Sequence, residues 1–215
     1  MKETKFEKAK KRVEDLLVNV VDEQFFTENY IGIHTTTTTY LILKKAYNEK
    51  EVDYFGDFKS VFSQFYGIKR FVDDNFINKY YTQMNELRGK KEYDVRQLTK
   101  DLIDNDGKIQ FSFATKMLNI MNDEKYPIYD SNVAKAFAIY TIDSKNLEDK
   151  IDNYVTNYAI IEKVYTELLE KHKQIITNFR EVFKYTEKEL SDMRIIDIIV
   201  WKIGEKLINK QLKIE

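Results

Sequence analysis

The residues that could best take part in a chemical reaction lie on either side of the chain's single proline. Lys116 precedes Pro127 and Asp130 follows it, within the stretch FATKMLNIMNDEKYPIYDSNVAKAF that covers residues 113–137. A lysine at the edge of an apolar face usually extends to water, but in a cleft partial desolvation lowers its pKa and makes the neutral amine a nucleophile. Asp130 comes directly before a segment with helical spacing, so its simplest role is to cap that helix. Together the two residue types could support attack by an amine beside a carboxylate.

Helical periodicity predicts how these two groups are positioned. At about 100° per residue, the apolar residues between Phe113 and Met121 share one face of a helix, and Lys116 lies about 40° outside the edge of that face. The proline predicts a bend between two short helices, over roughly residues 112–122 and 131–141. Such a bend would turn the second helix back, so that its first residue, Asp130, faces the lysine.

The rest of the chain is also predicted to be helical. Residues 5–29 carry apolar side chains at spacings of three and four, which is typical of an amphipathic helix. Further helices are expected from Asp57 to Gly67, from Asp74 to Gly89 and after residue 147. Six glycines, one proline and a hydrophobic content of 43% favour long helices with short connections over a β-sandwich or barrel. We therefore predict an all-α, multi-helix fold.

Three segments carry more specific expectations. The five threonines at residues 35–39 are disfavoured inside helices but cap them well, so we expect a helix to begin within this run and continue to Tyr47, with a short strand as the alternative. The segment TEKELSDMRIIDIIVWKIG, residues 186–204, is the most apolar and is predicted to be the central buried helix. Asn105-Asp106-Gly107 predicts a tight turn.

Composition excludes several classes of protein. The chain contains no cysteine, which excludes disulfide scaffolds, iron–sulfur clusters and cysteine nucleophiles. His34 and His172 are too few for us to expect a metal site or a histidine base, and no cofactor is predicted. P-loop, nucleophile-elbow and zinc-protease motifs are absent. The net charge of −1 weighs against non-specific coating of nucleic acid, although it leaves room for a local basic surface.

The length of the chain limits the number of domains, and its hydropathy indicates the cellular location of the protein. A chain of 215 residues suits one domain, or two small lobes that share a cleft. No apolar run reaches the roughly 18 residues that span a membrane, and the first residues lack the apolar core of a signal peptide. The expected location is therefore the reducing cytoplasm, with no membrane partner. The sequence indicates no oligomeric state.

The stretch around the proline resembles the helix–hairpin–helix DNA glycosylase superfamily, and specifically the branch of 8-oxoguanine DNA glycosylases. In that family a hairpin with small residues at alternate positions leads into a helix that begins Thr-Lys, and a connection containing proline then leads to an aspartate at the start of the next helix. The matching positions here are Ser112, Ala114, Thr115, Lys116, Pro127 and Asp130.

The resemblance implies a fold, an activity and a partner. A single domain, residues 1–215, would hold two helical lobes flanking a cleft: about 1–92 with the C-terminal helices, and about 93–145, with the helix–hairpin–helix motif around residues 94–122. Lys116 would be the nucleophile and Asp130 its electrostatic partner. Damaged duplex DNA would be the partner, with a base excised and the strand cut through a lysine Schiff base. The hairpin amides and the small residues Ser112, Ala114 and Thr115 would contact the DNA backbone.

Two other interpretations remain open at the level of the sequence. The chain could be a non-catalytic member of the same fold that binds DNA or a protein, with Lys116 as a phosphate contact and Asp130 as a cap. It could also be an unrelated helical interaction protein, in which case the likeness reflects the ordinary pattern of two helices joined by a turn.

Overall fold

The computed structural model describes residues 3–49, 54–142 and 144–212. These residues form eleven α-helices, a short 3-10 helix at Ile68–Arg70 and one isolated antiparallel bridge between Ile103 and Ile109. The all-α prediction is thus confirmed for the described chain. The helices are α1 (Lys5–Val20), α2 (Glu23–Glu28), α3 (Tyr30–Asn48), α4 (Tyr54–Phe65), α5 (Asp74–Glu86), α6 (Val95–Asp101), α7 (Phe111–Met121), α8 (Ser131–Phe137), α9 (Leu147–Lys171), α10 (Lys173–Phe183) and α11 (Asp192–Ile208).

The N-terminal segment is divided into two helices where one was predicted. Helix α1 ends at Val20, and Val21 adopts an extended conformation. Asp22 then begins α2, because its side chain accepts a hydrogen bond of 2.7 Å from the backbone N–H of Phe25. An aspartate cap inside an otherwise periodic segment is enough to start a new helix.

The threonine run lies inside α3, which begins five residues earlier than the run itself. Thr37 is buried and donates a hydrogen bond of 2.8 Å to the carbonyl of Ile33, while the hydroxyls of Thr38 and Tyr185 are 2.9 Å apart. A threonine whose hydroxyl bonds the carbonyl four residues back is tolerated in a helix interior. The predicted helix start within the run, and the alternative strand, were therefore both wrong.

Several predicted helix ends are confirmed by the backbone. Gly67 has a φ of 65° and follows α4, and Gly89 has a φ of 82° and follows α5. Both lie in the left-handed region, which glycine adopts at little cost. The segment after residue 147 is split at His172, where α9 ends and α10 begins.

Helices α6 and α7 are joined by a hairpin, within the range where a helix–hairpin–helix motif was predicted. Asp94 caps α6 by accepting a hydrogen bond of 2.7 Å from the N–H of Gln97. Gly107 has a φ of 74° in the predicted turn, and its N–H donates to the carbonyl of Asp104 at 3.0 Å. The hairpin directs α7 back along α6, which brings Lys116 towards the centre of the molecule.

One cluster of buried apolar residues extends from α1 to α11, and α11 lies at its centre as predicted. Helix α11 packs closely on α8: a Cβ on Gly204 would lie 2.0 Å from the backbone oxygen of Asn132. Glycine is needed there because any side chain would collide with the α8 backbone. The division into two lobes stays a prediction.

No helix among the described residues is both long enough and apolar enough to cross a lipid bilayer.

Candidate active site

Asp130 is held at the start of α8 by two neighbouring elements. Its Oδ1 atom accepts hydrogen bonds from the backbone N–H groups of Asn132 and Val133, at 3.0 and 3.1 Å. Its Oδ2 atom accepts a hydrogen bond of 3.0 Å from the indole N–H of Trp201, which lies on α11. The predicted cap is therefore present, and the second oxygen is oriented by a side chain that is 71 residues away in the sequence. Three donors thus fix the orientation of the Asp130 carboxylate.

Lys116 lies on α7 in a largely apolar environment. Its amine donates a hydrogen bond of 2.9 Å to the hydroxyl of Ser112, one helical turn earlier. The rings of Tyr66 and Phe113 each have their centroid 5.3 Å from the amine nitrogen. Burial lowers the pKa of Lys116, and the nearby charge of Asp130 opposes this effect only in part. A lowered pKa increases the fraction of neutral, nucleophilic amine at a given pH.

Lys116 and Asp130 line the same cavity, which has a volume of about 260 Å³. The cavity is enclosed by α3, α7, α8 and α11 and by the end of α4. Its apolar and aromatic lining residues are Phe65, Tyr66, Ile128, Ile198 and Trp201. Its polar lining residues are Thr36, Lys116, Asp130, Asn132 and Arg194. The structure thus brings the two sequence-predicted residues together in a concave site with three aromatic side chains.

A buried ion pair that the sequence analysis missed lies next to the cavity. Arg194 is 4% exposed and binds Asp197, one turn later on α11, and its guanidinium carbon is 4.3 Å from the ring centroid of Tyr40. The Asp197 carboxylate also accepts a hydrogen bond of 3.3 Å from the N–H of Ile128. Burial raises the pKa of Asp197 to about 6, although the Arg194 charge acts in the opposite direction. The sequence signal for this ion pair was an arginine and an aspartate three residues apart in the most apolar helix.

Ser112, Ala114 and Thr115 do not together form the predicted DNA-contacting surface. All three lie within the first turns of α7, and Ala114 and Thr115 are fully buried. The Thr115 hydroxyl accepts a hydrogen bond of 3.1 Å from the N–H of Tyr129, and so fixes the connection that precedes Asp130. Ser112 binds the Lys116 amine instead of facing outward. The assignment of Ala114 and Thr115 to DNA contact is corrected, because their side chains are buried, whereas contact of the half-buried Ser112 with DNA stays a prediction.

Two amides of the hairpin are bound by a side chain of the hairpin itself. The Asp104 carboxylate accepts hydrogen bonds from the N–H groups of Asp106 at 3.1 Å and Lys108 at 2.8 Å, and from the side chain of Gln110 at 2.7 Å. Although partial burial opposes the effect, these bonds hold the pKa of Asp104 below its usual value. These two amides are therefore bound within the hairpin, and the contact of the other hairpin amides with the DNA backbone stays a prediction.

Within the described residues, no group of three or more histidine, cysteine, aspartate or glutamate side chains is arranged to hold a metal ion. His34 packs in an aromatic stack, with its ring centroid 5.5 Å from that of Tyr30. The chemical groups that line the cavity are an amine, a carboxylate, a guanidinium, an amide, hydroxyl groups and aromatic rings.

Comparison with known proteins adds no relative to this picture: no protein-family model matches the chain, and no curated protein or solved structure gives a significant match.

Proposed function

We propose that this protein is a DNA glycosylase with abasic-site lyase activity, in which Lys116 is the nucleophile. The observation that carries the proposal is the partly desolvated Lys116 amine in one cavity with the Asp130 carboxylate. An amine in that state suits covalent attack on a sugar carbon, and a carboxylate in the same cavity suits stabilisation of positive charge on that sugar. The resemblance of residues 107–140 to the 8-oxoguanine DNA glycosylases points to the same chemistry.

The reaction uses the groups of the cavity in a defined order. The neutral Lys116 amine forms a bond from Nζ to C1′, while the bond from C1′ to the base breaks and its electron pair leaves with the base, which takes up a proton from the amine. The C1′–O4′ bond then opens, O4′ takes the second amine proton, and a Schiff base results. A water molecule then takes a C2′ proton, the C2′–C3′ double bond forms, and the C3′–O bond breaks so that the 3′ phosphate leaves with its electron pair. The Asp130 carboxylate, oriented by Trp201, stabilises the positive charge that develops on the sugar.

The size and lining of the cavity support a single extruded base as the bound group. Its volume of about 260 Å³ is close to the lower limit of small-molecule sites, about 300 Å³. Enzymes that act on a base must take it out of the stack and hold it between aromatic or apolar side chains. Phe65, Tyr66 and Trp201 supply such side chains.

A surface next to the cavity supports an approach by duplex DNA. Phe71 is 70% exposed and follows the exposed cations Lys69 and Arg70, only five residues after the cavity-lining Tyr66. Apolar side chains that enter the stack fill the space of an extruded nucleotide, and neighbouring cations bind the phosphates. This local arrangement accommodates DNA although the net charge of the chain is −1.

Borohydride trapping tests the proposal. The protein is incubated with a duplex carrying 8-oxoguanine or an abasic site, and the Schiff base is reduced to a stable covalent adduct. We expect an adduct with the unmodified chain and none with Lys116→Gln. Lys108→Gln is the matched control, because Lys108 is exposed on the hairpin and pairs only with Asp106 in a salt bridge. That variant is expected to form the adduct at the unmodified rate.

The same experiment separates the alternatives. If the unmodified chain forms no adduct but binds the duplex, the protein is a non-catalytic binding module. If it neither reacts with DNA nor binds it, the proposal is wrong and the helical interaction protein is the remaining interpretation. Adduct formation by Lys116→Gln would assign the nucleophile to another residue.

A further inference from the structure

Two buried hydrogen-bond donors next to the cavity have no partner. The hydroxyl of Tyr66 and the Nε atom of Arg194 each expose less than 1 Å² and form no hydrogen bond within the described structure. Both residues line the cavity. Buried polar side-chain atoms are paired in the large majority of cases, so an unpaired one calls for an explanation. Two of them on the wall of one cavity indicate a partner that comes from outside the chain.

The carboxylate oxygens around the same cavity are, in contrast, already bound. Both oxygens of Asp130 accept hydrogen bonds, from the α8 amides and from Trp201. Asp197 is bound by Arg194 and by the N–H of Ile128. The wall formed by Tyr66 and Arg194 therefore offers a ligand the Tyr66 hydroxyl and the Arg194 Nε–H group, neither of which has a partner in the described structure.

The chemistry of the two groups defines what they can bind. Arginine only donates hydrogen bonds, whereas a tyrosine hydroxyl that keeps its proton both donates and accepts. Burial raises the pKa of Tyr66 to about 12, although the charge of Arg194 lowers it, so the hydroxyl is protonated at neutral pH. A ligand group that fits this wall must present a lone pair, as a carbonyl oxygen does.

We propose that Tyr66 and Arg194 bind a carbonyl oxygen of the extruded base, and that the two side chains together select bases with a carbonyl group over bases with an amino group at that position. This inference rests on the proposed function, because it assumes that the cavity holds a base. An amino group at that position would leave the Arg194 Nε–H group facing another donor without an acceptor, whereas a carbonyl oxygen accepts from both side chains.

Substitution of Tyr66 by phenylalanine tests the selection without disturbing a folded contact. The Tyr66 hydroxyl has no partner to lose, so Tyr66→Phe is expected to fold at least as stably as the unmodified chain. Tyr158→Phe is the matched control: Tyr158 is equally a buried tyrosine, but its hydroxyl donates a hydrogen bond of 2.9 Å to the carbonyl of Pro127. It is expected to lose stability and to keep the selectivity for bases.

Tryptophan fluorescence gives the binding readout, because the chain's one tryptophan, Trp201, lines the cavity. The probes are free hypoxanthine, which carries a carbonyl group, and adenine, which carries an amino group at the same ring position. The unmodified chain is expected to bind hypoxanthine about tenfold more tightly than adenine. Tyr66→Phe is expected to reduce this ratio by about threefold or more, as one hydrogen bond allows.

Two results would overturn the inference: equal or undetectable binding of both bases by the unmodified chain, or an unchanged ratio in Tyr66→Phe. These outcomes are distinct from a failure of the proposed function. Binding of a free base needs no covalent step, whereas trapping on an abasic duplex involves no base. Selective base binding without an adduct would therefore contradict the lyase chemistry and support the binding of the base carbonyl by Tyr66 and Arg194.

Discussion

At the scale of the residue, Lys116 is the side chain whose position is hardest to explain by folding alone. Its amine is mostly removed from water. It donates a hydrogen bond to the Ser112 hydroxyl and lies over the faces of two aromatic rings. Burial of an ammonium group with so few acceptors costs stability unless the group loses its proton. Groups held at such a cost are typical of functional sites.

This argument predicts that Lys116→Met stabilises the protein. The variant is expected to unfold with a free energy about 1 kcal/mol higher at neutral pH, because the buried charge is removed while the volume is kept. The folded-state pKa of Lys116 is lowered, so between that pKa and about 10.5 the unfolded chain binds more protons than the folded one. The cost of burying the charge in the unmodified chain therefore fades as the pH rises through this interval. The gain should therefore be largest below that interval. Urea unfolding at several pH values measures it.

Lys44→Met is the control for this prediction. The Lys44 amine pairs with the nearly buried carboxylate of Asp123 at 2.7 Å, so the same substitution leaves a carboxylate without its cation. We expect Lys44→Met to destabilise the protein while Lys116→Met stabilises it. Destabilisation by both variants would show that Lys116 has a structural role.

At the scale of the element, local sequence signals predicted much of the structure, and tertiary contacts account for what they missed. Helix caps such as Asp130 act within three residues, and glycine stops such as Gly67 act through their own backbone, so both can be inferred from the sequence. The bond from Trp201 to Asp130 and the unpaired Arg194 Nε depend on how α11 lies against α8, which no local pattern specifies. The burial of Thr115 likewise depends on tertiary packing, in this case of α7 against α6 and α3.

The contact between α8 and α11 can be tested by adding one methyl group. In Gly204→Ala the new Cβ would lie 2.0 Å from the backbone oxygen of Asn132, so the two helices must separate. The expected loss is about 1–3 kcal/mol in the free energy of unfolding, which exceeds the gain of up to about 1 kcal/mol that alanine brings to a helix. Because Asn132 and Asp130 belong to the same helix start, trapping of the DNA adduct should weaken as well.

Gly32→Ala is the matched control, since Gly32 also lies within a helix. The nearest atom to its added Cβ is the flexible Lys202 amine at 3.5 Å, an ordinary contact. This variant is expected to be neutral or more stable by up to about 1 kcal/mol. Thermal unfolding of the two variants side by side measures the difference, and equal effects would contradict the close approach of α8 and α11.

At the scale of the whole molecule, the cavity is assembled from residues distributed over most of the chain. Thr36, Tyr66, Lys116, Asp130 and Trp201 belong to different elements and meet only because one continuous core holds those elements together. The site therefore depends on global stability, and conditions that change global stability will change the activity through folding as well as through chemistry.

A half-buried glutamate on α9 predicts how that global stability changes with pH. Burial raises the pKa of Glu162 to about 7, although the charge of Lys125 opposes the shift. The folded state therefore keeps the proton at pH values where the unfolded chain has lost it, so stability falls as the pH rises from about 4.5 to about 7. In Glu162→Gln this fall should disappear, with a gain on the order of 1 kcal/mol at pH 8, after allowance for partial exposure, and little change at pH 4.5. Urea unfolding at both pH values measures the effect.

Glu167→Gln on the same helix is the control: Glu167 pairs with Lys10 in a salt bridge, so its loss should bring no gain at pH 8. An equal gain in both variants, or a gain that does not depend on pH, would contradict the role of burial at Glu162.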